Sequence, residues 1–167
     1  MEMIEFPPLS MQDLQAIFDR HTWRYEIDRG HMLTGFNGVP MIFSIEEERE
    51  VLLLQIPLVP GKGMQGYHAV APEAEADACV YLMAVNYRLI LGAYTRDHHD
   101  GEIRYEISIP VVGSFLSDEQ VEHAILVAGS TVTLHAPVIN AILTRQMSLA
   151  QALAVLDRGA GAPPAVA

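Results

Sequence analysis

"GAYTRDHHDGEIRYEISIPVV" (residues 92–112) holds the pattern that decides the fold. Ile103, Tyr105, Ile107 and Ile109 alternate with Glu102, Arg104, Glu106 and Ser108, so one side of the segment faces a core and the other faces water. Asp100-Gly101 sits immediately before that segment, where a reversal needs the positive backbone dihedrals that glycine accepts cheaply. The stretch therefore predicts a β-hairpin. Hairpins build antiparallel sheets, which can leave one face open to solvent.

Working outward, Leu116, Ser117, Gln120 and Val121 form a hydrophobic staple and capping box, with Asp118 and Glu119 complementing the dipole of the helix they start. This is the longest expected helix, and Pro137 should kink or break it. Ser148 and Gln151 open a last short helix by the same grammar. Upstream, Pro72 followed by Glu73, Glu75 and Asp77 reads as the acidic first turn of a helix whose buried stripe is Ala78, Tyr81, Leu82, Val85 and Leu89.

The first helix starts at Ser10, with Asp13 as a weaker box partner and Leu14, Ile17, Phe18 and His21 on one face. Trp23, Tyr25 and Ile27 then alternate as a strand that Gly30 ends. Val39, Met41, Phe43 and Ile45 alternate in a second strand, which pairs with the apolar run 51–59 across the charged turn "EEERE" (46–50). The expected architecture is α+β, in the order α-βββ-α-ββ-α-α. It is a five-stranded antiparallel sheet with helices packed on one face. One domain is expected over residues 1–158, with a disordered tail at 159–167 rich in Gly, Ala and Pro.

The charge balance limits partners. The chain has 21 acidic and 10 basic residues, of which only Lys62 is a lysine. The resulting field repels phosphate backbones and anionic lipid heads, so neither nucleic acid nor membrane is an expected partner. No apolar run is read as reaching the roughly 20 residues of a membrane helix. A single cysteine, Cys79, excludes an internal disulfide, and the expected location is the cytoplasm.

Several groups invite a chemical reading. The Asp97-His98-His99-Asp100-Gly101-Glu102 turn lacks the alternating oxygen ligands of an EF-hand. As transition-metal ligands, neighbouring His98 and His99 in extended chain point to opposite sides and cannot easily share one ion. Glu119 and His123 lie four apart on the long helix without a second histidine at matching spacing, so they read as a surface pair. His135 reads as a partly buried, hydrogen-bonded histidine, and Cys79 as a buried, inert thiol. "PGKGMQG" (60–66) lacks the glycine and lysine order of a phosphate loop and reads as flexible. No catalytic residue, cofactor or metal is expected.

"NYRLILGAYTRDHHDGEIRYEISIPV" (86–111), followed by the capped "LSDEQVEHAI" helix with a proline near its end, resembles the YbjN family, which is related in fold to type III secretion chaperones. Asn86, Tyr87, Arg88, Leu91, Gly92, Asp100, Gly101, Glu102, Arg104 and Tyr105 stand at the positions of that family's structural signatures. The resemblance implies a small cytoplasmic homodimer of α+β fold that binds other polypeptides or modulates regulation, with no established enzymatic activity.

The expected function is thus a noncatalytic protein-binding module, chaperone-like or a regulatory adaptor. The long helix supplies the candidate dimer or partner surface at Val121, Ile125, Val132 and Ile139, a stripe that could equally cover the sheet. The rival expectation is a metal-dependent sensor or enzyme built on the His98/His99 turn.

Overall fold

The computed structural model describes residues 8–159. The expected tail lies outside the described residues except for Gly159, which ends the last helix. Helix α1 (Met11–Arg20) opens at Ser10, whose backbone N–H donates to Asp13 Oδ2 at 2.8 Å, and it buries Leu14, Ile17 and Phe18. The boxes expected at the other two helix starts are also present. Ser117 and Gln120 exchange bonds of 2.9 and 3.2 Å, and Ser148 and Gln151 exchange bonds of 2.9 and 3.3 Å.

The strands require a correction. Six form the sheet among the described residues, in place of the expected five: β1 (Glu26–Asp28), β2 (His31–Phe36), β3 (Val39–Glu46), β4 (Val51–Val59), β5 (Ala93–Arg96) and β6 (Ile103–Pro110). The element order becomes α-ββββ-α-ββ-α-α. The added strand, β2, lies between two tight turns, Arg29-Gly30 and Asn37-Gly38, with φ of 48° and 84° in the first and 51° and 80° in the second. Two consecutive positive φ values give the hairpin turn whose twist matches that of its strands. Trp23 and Tyr25 precede β1 and pack edge-on against Phe18, so the first strand is shorter than its alternation suggests.

All neighbours in the sheet are antiparallel, in the order β1-β2-β3-β4-β6-β5. Met32, Met41, Phe43, Leu52, Leu54, Tyr105 and Ile107 are buried on one face, where α2 (Pro72–Asn86), α3 (Asp118–Leu143) and α4 (Leu149–Gly159) complete the core. Leu33, Ile42, Leu53 and Gln55 alternate onto the opposite face and are only half-buried.

Helix α3 is continuous through Pro137, contrary to a break there. The missing backbone bond and the crowding of the preceding turn by the ring together cost about 3 kcal/mol. Burial of Val132, His135, Ile139 and Ile142 on both sides of the exposed proline offsets that cost. The expectation about apolar length also changes. Residues 123–143 contain no Asp, Glu, Lys or Arg, and by length and composition alone α3 could cross a membrane. Its buried stripe is instead laid on the sheet.

Candidate interaction surfaces

Val121, Ile125, Val132 and Ile139 are buried within the single chain as part of its core. They are therefore not available as a surface: the sheet needs a cover, and this stripe of α3 provides it. Large apolar side chains left exposed lie on other faces, Leu126 and Leu134 of α3 among them. On α2 the inner stripe is Ala74, Ala78, Tyr81, Leu82 and Val85, while Val80, Met83 and Tyr87, the residue that caps the helix, share the opposite side at spacings of three and four. Ile90 follows directly. Met83 is 72% and Tyr87 92% exposed. A helix apolar on both sides is one that expects burial on both. The signal was present in the sequence as apolar residues left over once one stripe had been assigned.

The signature residues around β5 and β6 mostly hold backbone. Asn86 brackets Tyr94 at the sheet edge, donating Nδ2–H to its carbonyl at 2.9 Å and accepting its N–H at 2.8 Å. Those are the groups through which a further strand would pair, so this edge is blunted. Arg88 donates to the Leu156 carbonyl at 2.8 Å and to Asp157, closing the end of α4. Gly92 has φ of 74°, and a Cβ there would meet Tyr105 Oη at 2.4 Å. Close contact lets that hydroxyl donate to the Leu91 carbonyl at 2.6 Å. Tyr87, between Asn86 and Arg88, points outward instead.

Behind α2 lies a buried polar cluster. Tyr81 Oη and His135 Nδ1 are 2.9 Å apart, and Tyr94 Oη donates to the Thr131 carbonyl at 3.1 Å. Burial lowers the His135 pKa below its usual 6.5 and raises those of Tyr81 and Tyr94. This matches the hydrogen-bonded histidine expected from the sequence. A second tie joins α1 to α3: Asp118 accepts from Arg20 and lies 3.0 Å from His21 Nε2, and the Arg20 bond foremost holds its carboxyl below the usual range.

The remaining candidates separate. Glu119 and His123 are both exposed on the first turns of α3. Cys79 is half-buried, more accessible than a core thiol. The 60–66 loop is docked, since Lys62 N–H donates to the Asp100 carbonyl at 2.7 Å and Asp100 packs on the buried Gly61. Residues 98–100 form a turn and not extended chain, and this reverses the geometry expected of the histidine pair. The rings of His98 and His99 lie 3.8 Å apart, beside Asp97.

Residues 10–141 match the YbjN family, whose description is "Putative bacterial sensory transduction regulator". No curated protein matches the chain. The solved structure titled "Crystal structure of YbjN, a putative transcription regulator from E. coli" is similar at 13% identity and a TM-score of 0.59, covering 82% of this chain and 96% of that one. That likeness establishes the fold. "Structure of the HopA1-SchA Chaperone-Effector Complex" aligns with 18% identity and a TM-score of 0.42, over 72% of this chain and 91% of that one.

Proposed function

The chain belongs to the YbjN family, and from that premise we propose that it is a noncatalytic, cytoplasmic protein-binding module, regulatory or chaperone-like, that works as a homodimer. The observation that carries the reading is the outer stripe of α2. Val80, Met83 and Tyr87 are exposed on a helix whose other side already fills the core, and Ile90 is exposed just beyond its end. With a net charge of −11, two copies add least repulsion where they meet through uncharged surface, and this stripe is uncharged and can lie against its own copy about a twofold axis.

The half-buried Leu33, Ile42 and Leu53 on the open sheet face are proposed to receive a different polypeptide. Support for a noncatalytic role comes from Asn86, Arg88 and Asp100, whose side-chain hydrogen bonds are spent on backbone and a helix end. The family's regulatory description then fits control exercised through a protein, since the acidic field opposes contact with nucleic acid.

Affinity capture from the native cell tests this with three baits: the natural chain, Met83→Glu with Tyr87→Glu, and Ile42→Glu with Leu53→Glu. The natural bait should retain a defined polypeptide that the sheet-face variant loses while keeping its circular dichroism. The same proteins retained by all three folded baits would contradict the proposal.

A further inference from the structure

The 97–102 turn presents ligands that the proposed protein-binding role does not use. Asp97, His98 and His99 each offer one ligand atom, and these atoms lie within 4.8 Å of one another. About a single ion with bonds of roughly 2.0–2.2 Å, neighbouring ligands stand about 3.3 Å apart. Rotation of exposed imidazoles covers that difference, because neither ring is packed into the core.

The backbone beneath is already fixed. His99 N–H donates to Asp97 Oδ1 at 2.7 Å, Gly101 N–H to the Asp97 carbonyl at 3.0 Å, and Glu102 N–H to Asp100 Oδ1 at 2.9 Å. Lys62 N–H anchors the turn from the neighbouring loop. Ligands on an ordered turn lose little backbone freedom when they close on an ion. The Asp97 carboxylate keeps its second oxygen for the ion. The two arginines on the flanking strands are offset: Arg96 pairs with Glu75, and Arg104 lies 3.7 and 3.8 Å from Glu102 and Glu106, while Lys62 lines the same hollow.

We propose that the turn is a binding site for a divalent transition-metal ion, with two imidazole nitrogens and one carboxylate oxygen as ligands and the remaining positions left to water or to a donor from another molecule. Two nitrogens and an oxygen suit zinc and nickel and do not suit calcium or magnesium, which demand oxygen. The site stands on a face of the molecule formed by the β5–β6 turn and the 60–68 loop, where His68 lines the same hollow.

Titration calorimetry of the whole protein with Zn²⁺, repeated with Ni²⁺, tests the site in the natural chain and in the His98→Ala, His99→Ala and Asp97→Asn variants, with His123→Ala as a control. Asparagine at 97 keeps the oxygen that accepts the His99 N–H. One ion per chain is expected, with affinity lowered more than about tenfold by each of the first three changes and unaltered in the control. Even groups that merely orient a ligand cost that much. No saturable binding by the natural chain, or binding that survives in a folded His98→Ala/His99→Ala double variant, would overturn the proposal.

Discussion

Gly92 and Gly38 both have positive φ, yet they are held to glycine for different reasons. At Gly38 a Cβ would meet nothing within 4 Å, so Gly38→Ala should cost only the backbone strain, about 1–2 kcal/mol. At Gly92 the same change adds collision with Tyr105 Oη and with the Glu106 carbonyl at 2.8 Å. Gly92→Ala should therefore cost more than Gly38→Ala, about 2–3 kcal/mol, read as the larger shift of the urea midpoint at unchanged slope. His135 makes a pH prediction. Its folded pKa lies below the unfolded value, so between the two the unfolded chain binds more protons and stability rises with pH. The contribution is complete above about 6.5 and is lost as pH falls from there toward the folded value. His135→Gln should flatten the decline in unfolding free energy between pH 7 and pH 5, measured by urea titration at each pH. Reading residues alone misled at His98 and His99, because whether neighbours diverge or converge depends on a turn that their own letters do not specify.

Elements that cap themselves were legible. The Ser117–Gln120 box was readable from spacing alone, and Ser117→Ala should lower stability by about 1 kcal/mol, measured from the thermal midpoint. β6 was legible because its partners on both sides leave a strict alternation. β2 was not, because Met32 and Phe36 share their face with Thr34, while Leu33 lies on the other and Gly35 contributes no side chain. Asn37-Gly38 was the available signal, a dipeptide suited to a two-residue hairpin turn. α2 was half legible: its inner stripe was found, but apolar residues on the far side carry no periodic contrast to announce themselves. On α3 the stripe was correctly seen and its destination was open, since the same spacing serves a core or an interface. Ile125→Asp or Ile139→Asp should therefore unfold the chain itself, with loss of its near-ultraviolet dichroism.

For the whole molecule, six strands covered on one face leave apolar groups on the other, and α2 adds an outer stripe beyond what the core uses. A net charge of −11 opposes association with other acidic molecules, and the proposed function assigns contact to those surfaces. A molecule so arranged should show no shift of duplex DNA in gel electrophoresis even at low salt, where any cationic contact would be strongest. The proposed function depends on a second copy of the chain. Sedimentation equilibrium over a wide concentration range should give twice the chain mass for the natural protein and the single chain mass for folded Met83→Glu with Tyr87→Glu. A natural protein that stays monomeric throughout, or a double variant that remains a dimer, would contradict it.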